Sequence, residues 1–160
     1  MKALFPGSFD PITNGHLDLI KRASKIFNQV VVAVMTNTTK KSMFSPEEKL
    51  VLIENEIKKL KNVSVVEVKA GLTVDLAKQI NADVIIRGVR NVNDYQFEQQ
   101  IAVMNRKLDD QIETLLLPSS PQYNEISSSL IKEIAKFKGD ISKFVPLNVA
   151  KAIEGKINEK

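Results

Sequence analysis

The run Pro6-Gly7-Ser8-Phe9-Asp10-Pro11-Ile12-Thr13-Asn14-Gly15-His16 decides how this chain is read. Before it stands Ala3-Leu4-Phe5, an apolar stretch that predicts a short buried strand. After it comes Leu17 to Phe27, whose apolar positions recur at helical spacing. The run thus carries the chain from a strand end into a helix start, the place where open parallel sheets bind ligands. A helix N-terminus also offers unpaired N–H groups and a partial positive charge to an anion. Gly7 and Gly15 let backbone approach a ligand closely, and Pro6 and Pro11 stiffen the loop. Ser8, Thr13 and Asn14 are small hydrogen-bonding groups that suit either a phosphate or a helix cap. His16, the only histidine, falls in the first helical turn, where it could donate to a phosphate. The same residues also suit a plain Gly/Pro turn with a capping Asn and a surface histidine. Their spacing is neither a Walker loop nor a dinucleotide fingerprint.

Working outward, the strand–helix alternation repeats. Val30 to Val34 is a continuous β-branched run of the kind buried on both sheet faces. The polar segment Thr36 to Met43 follows, and its Lys40-Lys41 pair reads either as a solvated loop or as a phosphate-binding lysine. Ser45-Pro46-Glu47-Glu48 predicts a capping box with proline at the first helical position. Leu50, Ile53, Ile57 and Leu60 mark one buried face of that helix. Val63 to Val68 is a third strand and Thr73 to Ile80 a helix, with Thr73 as its candidate cap. Asp83 to Ile86 is a fourth strand running into Arg87-Gly88-Val89-Arg90, which holds two of the four arginines. Planar guanidinium forks match phosphate oxygens, although surface ion pairs would use the same side chains. Val92 to Leu108 reads as a longer helix whose Phe97, Ile101, Met104 and Leu108 face the core or a subunit interface. Its Glu98 is either solvated or reaches a ribose or base. Glu113 to Leu117 is a fifth strand, stopped by Pro118. Ser127-Ser128-Ser129 at a further helix start form a second phosphate cradle or a simple N-cap. Leu147 to Ile157 predicts short packing helices.

This order predicts one α/β domain over residues 1–160: a five-stranded parallel sheet, helices on both faces and short C-terminal helices. Such a topology gathers Ser8, His16, Lys40, Thr73, Arg87, Arg90, Glu98 and Ser127 to Ser129 on one sheet edge. Composition narrows the function. With no cysteine there is neither a disulfide nor a thiolate metal site, and one histidine excludes a multi-histidine zinc site. No apolar run approaches the roughly 18 residues of a membrane span, and no secretory segment precedes Pro6. A cytoplasmic protein with no membrane partner is the expectation. The net charge of +4 suits anionic substrates, while sparse aromatics and no tryptophan argue against a nucleic-acid partner.

PGSFDPITNGH, the segment Lys40 to Glu48, IRGVR at 86–90, YQFEQQIAVMNRKL at 95–108, ISSSLIKE at 126–133 and FVP at 144–146 occur in one order. Together they resemble the bacterial phosphopantetheine adenylyltransferase family of the T/H-x-G-H nucleotidylyltransferases. The resemblance implies a Rossmann-like domain that moves the adenylyl group of ATP to 4′-phosphopantetheine by in-line attack of the acceptor phosphate. It also implies Mg²⁺ and a homohexamer. On the matching positions it implies that His16, Lys40, Arg90 and Ser128 act in catalysis. Ser8, Phe9, His16, Gly88, Val89, Arg90, Glu98 and Tyr123-Asn124-Glu125-Ile126-Ser127-Ser128-Ser129 would hold ATP. Ser8, Lys40, Thr73 and Arg87 would hold the acceptor. Four positions depart from the family: Ser8 stands for a frequent threonine, Val89 for a leucine, and Asn124-Glu125 for a serine and an aromatic. Another phosphate acceptor, or a nucleotide-binding module without turnover, are the rival readings.

Overall fold

In the computed structural model, which describes residues 1–36, 41–69 and 71–158, the strands and helices alternate almost to the end of the chain. In order they are β1 (Lys2–Gly7), α1 (Asn14–Ile26), β2 (Gln29–Met35), α2 (Pro46–Ile57), β3 (Val63–Val68) and α3 (Thr73–Gln79). Then come β4 (Val84–Val89), α4 (Val92–Leu108), β5 (Glu113–Pro118), a 3₁₀ turn at Pro121–Tyr123, α5 (Ser128–Lys136) and α6 (Leu147–Asn158). The five strands form one parallel sheet in the order β3-β2-β1-β4-β5.

Side chains on a strand alternate between faces, and here both faces are buried. Ala3, Phe5, Val30, Val32, Val34, Val84 and Ile86 enter one core with residues of α1, α2, α5 and α6. Leu4, Val31, Ala33 and Ile85 enter the other with Val74, Leu76 and Ala77 of α3. The chain leaves β1 toward β2 on one side and returns through β4 on the other. A crevice therefore opens where the C-terminal ends of β1 and β4 lie side by side.

Local details differ from the sequence reading, each for a physical reason. Thr13, rather than Asn14, caps α1, because its hydroxyl reaches the His16 N–H at 3.2 Å. The Asn14 N–H and side-chain amide are instead taken by the carbonyls of Phe144 and Lys143, which ties the turn before α6 to the start of α1. Thr73 is the first helical residue of α3 and not its cap; Leu72 holds that position with no side-chain bond. Ladder pairing with β5 extends β4 through Arg87, Gly88 and Val89, so these lie in the strand rather than beyond it. The capping box at Ser45 and Glu48 forms as read. The apolar row of α4 does not face the core: Phe97, Met104 and Leu108 are 61, 53 and 51 % exposed. The buried positions of that helix are polar, Glu98 and Asn105, and Asn105 donates to the Thr114 hydroxyl on β5.

Candidate active site

A cleft of about 260 Å³ occupies the crevice. Its floor is the end of β1 (Phe5, Pro6, Gly7) with Arg87 and Gly88 of β4. One wall is the first turn of α1, and another is the start of α4 with Arg90, Asp94 and Glu98. The third is the approach to α5, from Tyr123 through Ile126 to Ser127 and Ser128.

His16 is held from three sides. Its Nδ1 accepts the Thr13 backbone N–H at 3.1 Å, and the Thr13 hydroxyl lies 3.1 Å from the same nitrogen. The phenyl ring of Phe9 stands edge-on to the imidazole, with centroids 5.1 Å apart. Phe9 takes a left-handed backbone, φ 43°, unusual for a bulky residue, and its ring is 2 % exposed. A side chain at position 7 would bring its Cβ within 2.9 Å of that ring, so Gly7 is needed to seat Phe9. An Nδ1 that accepts a backbone N–H is unprotonated, which puts the proton of the neutral ring on Nε2. Burial in the wall and the nearby charge of Arg90 push the imidazole down to a pKa of about 4. At neutral pH the ring therefore offers the cleft a neutral N–H donor.

Both arginines line the cleft, and both are ion-paired, so the two sequence readings hold together. Arg87 forks onto Glu98 at 2.6 and 2.7 Å and donates to the Pro6 carbonyl. Arg90 forks onto Asp94 at 2.7 and 3.1 Å and donates to the Ile126 carbonyl. The Arg90 guanidinium holds the Asp94 carboxyl below its usual range. Glu98 is 8 % exposed and committed to Arg87, not a solvated side chain. A guanidinium carries five N–H donors, so each arginine keeps donors beyond these bonds for a ligand oxygen. With two carboxylates facing two arginines, the attraction for phosphate falls to the helix N-termini and the spare donors.

The serines divide their work. The Ser127 hydroxyl accepts the Leu130 N–H as N-cap of α5 and retains its own proton to donate. The Ser128 hydroxyl donates to the Pro11 carbonyl at 2.8 Å, which docks α5 on the first loop. Ser129 is exposed and outside the cleft lining. Gly88 has a role in packing: a Cβ there would collide with Leu19 Cδ1 of α1.

Of the residues expected at the site, Phe9, His16, Arg87, Gly88, Arg90 and Glu98 line the cleft, as do Tyr123, Ile126, Ser127 and Ser128. Ser8, Thr73, Val89, Asn124, Glu125 and Ser129 are not in its lining; Ser8 is exposed one residue past Gly7, and Val89 is buried in β4. Lys40 lies outside the described residues.

Sequence reasoning passed over Asp10. Its carboxylate accepts the N–H groups of Met43 and Phe44 at 3.0 to 3.1 Å and the Lys132 ammonium at 2.9 Å, with Lys49 at 3.7 Å. Burial raises this carboxyl, but Lys132, the two backbone N–H groups and Lys49 outweigh it and hold it below its usual range. Lys49 is itself 2 % exposed and donates to the Ser42 hydroxyl. One signal was available: a lysine at position 49, beside the apolar row that begins at Leu50.

A family model described as cytidylyltransferase-like matches residues 4–134. Phosphopantetheine adenylyltransferase of Oenococcus oeni is 54% identical over 154 residues, covering 96% of this chain and 97% of that protein. The protein of that name from Lacticaseibacillus paracasei is 51% identical over 157 residues, covering 98% and 94%. The one from Prochlorococcus marinus subsp. pastoris is 50% identical over 154 residues, covering 96% of each. Among solved structures, a proposed nicotinate-nucleotide adenylyltransferase from Vibrio parahaemolyticus superposes with a TM-score of 0.73 at 19% identity, over 99% of this chain and 96% of that one. That last likeness is one of fold.

Proposed function

This chain belongs to the cytidylyltransferase-like family and is an adenylyltransferase, and from that premise we propose that it converts ATP and 4′-phosphopantetheine into dephospho-coenzyme A and pyrophosphate. Near-complete relatives of that name, at about half identity, support the choice of acceptor. The observation that carries the chemistry is the state of His16, a neutral imidazole with Nδ1 satisfied internally and Nε2–H available to the cleft.

The reaction suits such a donor. The acceptor phosphate is already anionic at pH 7 and needs no general base. One of its oxygens forms a bond to the α-phosphorus of ATP, while the bond from that phosphorus to the bridging oxygen breaks. The electron pair leaves on pyrophosphate, and no proton has to move. Catalysis then consists of alignment and of stabilising negative charge at the α-phosphorus. His16 would donate to the oxygens there, with Arg90, Lys40 and the α5 N-terminus at Ser128 as the other proposed catalytic groups. For ATP we assign Ser8, Phe9, Gly88, Val89, Arg90, Glu98 and Tyr123 to Ser129. For the acceptor we assign Ser8, Lys40, Thr73 and Arg87.

Mg²⁺ enters this scheme on the phosphates of ATP, whose hard oxygens suit it. The protein does not offer it a cage: no group of three His, Cys, Asp or Glu converges among the described residues, and Asp94 and Glu98 are engaged by arginines. The exposed apolar row on α4 supports a subunit interface, and the proposed assembly is a homohexamer. The proposed place of work is the cytoplasm, and no helix among the described residues is long and apolar enough to cross a membrane. The test is direct. Pure protein with ATP, Mg²⁺ and 4′-phosphopantetheine should release pyrophosphate and form dephospho-coenzyme A. Parallel reactions with CTP, and with nicotinamide mononucleotide or glycerol phosphate as acceptor, should be far slower. Faster turnover of another acceptor would replace this reading, and ATP binding without turnover of any acceptor would make the chain a binding module.

A further inference from the structure

Asp10 stands between two segments that the chain supplies separately. On one side, its oxygens hold the backbone of Met43 and Phe44. These residues lead into the Ser45 cap of α2. On the other side lies α5. Ser128 and Lys132 are four residues apart, hence on one helix face. They donate to the Pro11 carbonyl at 2.8 Å and to Asp10 at 2.9 Å. Two consecutive loop residues thereby seat the helix whose first turn carries Ser127 and Ser128 into the cleft. The preceding residue is Phe9, whose ring backs His16. Lys49, buried beside Asp10, adds a second positive charge and ties in Ser42. A buried carboxylate with this many donors is costly to disturb, because loss of its charge strands its cationic partners. Asp10 is not in the lining of the cleft. Through Lys132 it fixes α5, whose first turn is in that lining.

We propose that Asp10 is a positioning residue: its carboxylate, pinned by the Met43 and Phe44 N–H groups, holds Lys132 and so sets the first turn of α5 against the loop that backs His16, so that a nucleotide seated there lies in line with its acceptor. The inference rests on the adenylyl-transfer reading for its consequence, but not for its geometry. Alignment of reacting groups is worth orders of magnitude, and small displacements are felt in kcat more than in ground-state binding.

Asp10→Asn leaves the backbone N–H groups only one neutral, weaker acceptor oxygen and removes the charge that holds Lys132. It should lower kcat on the order of 100-fold while either KM moves by no more than roughly threefold. Lys132→Met, at a partly exposed position, should lower kcat about tenfold, because α5 retains its Ser128 anchor. Deuterium exchange in Asp10→Asn should quicken at Met43 and Phe44 and at the first turn of α5 together. A merely structural Asp10 gives a different pattern: lowered melting temperatures, but wild-type kcat in both variants well below those temperatures. That pattern, or exchange that quickens at only one of the two segments, overturns the proposal. If Asp10→Asn does not fold, the kcat of Lys132→Met decides. A wild-type protein that turns over no acceptor defeats the functional reading alone, and the exchange experiment still tests Asp10.

Discussion

Replacing His16 by alanine removes the neutral donor while leaving the sheet untouched. Loss of one such donor typically costs ~10²–10³ in rate, and His16→Ala should lose about that much kcat with an unchanged circular-dichroism spectrum. Near-normal turnover would take His16 out of the mechanism. The charge state can be read separately, because the chain has one histidine and a ¹⁵N-imidazole spectrum has one assignment. That signal should report an Nε2–H tautomer at neutral pH and titrate near pH 4 rather than 6.5. The sign follows from linkage: between pH 6.5 and about 4 the unfolded chain binds the extra proton and the folded one does not. His16 therefore contributes its full share of stability above pH 6.5, and that share is lost as the pH falls toward 4. Arg87 calls for a paired change, since its removal alone would strand the buried Glu98 carboxylate. Arg87→Ala with Glu98→Gln should weaken phosphopantetheine binding by roughly 10-fold or more, the worth of a charge-assisted hydrogen bond. An unchanged Kd by calorimetry would remove Arg87 from the acceptor site. Side chains such as His16 and the Arg87–Arg90 pair were legible because their residue types are rare in this chain. Asp10 and Lys49 were not, since what marks them is their pairing across distant segments, and Asp94 went unread although its partner Arg90 stands only four residues before it.

Gly88 illustrates how an element is placed by what a neighbour lacks. Without a side chain, β4 lets Leu19 of α1 lie against its backbone. Gly88→Ala should drive the Leu19 methyl from its seat, destabilising the fold by about 1–3 kcal/mol as overpacking does. It should also depress kcat, because Leu19 and His16 line the cleft from the same helix. A fall in melting temperature with full kcat would separate the packing role from the catalytic one. β2, β3 and β4 were readable from their β-branched runs, β1 and β5 from short apolar ones, and the α2 start from its capping box. Other helix starts were shifted because a cap depends on where a side-chain oxygen points. Thr13 reaches the His16 N–H, whereas Asn14 is drawn off by the carbonyls near α6. The end of β4 was misplaced because pairing with β5 continues past the apolar residues.

For α4 the sequence left core and interface as alternatives, and periodicity cannot separate them. The structure decides against the core because the inward positions went to Glu98 and Asn105, which have specific polar partners. The outward row of Phe97, Met104 and Leu108 then awaits a cover. Phe97→Glu with Met104→Glu should yield a smaller species than wild type in sedimentation, with the cleft residues unaltered. Identical masses would move the interface elsewhere. The order of synthesis gives the closing turn between Phe144 and Asn14 another meaning. A ribosome finishes all five strands by residue 118, before α5 and α6, which share in the core on one face of the sheet. The serines of α5 emerge only afterwards, and the carbonyls that steady the first turn of α1 come later still, at residues 143 and 144. The first turn of α1, made early, is thus braced by carbonyls made after every strand, and the cleft gains its last wall late in synthesis.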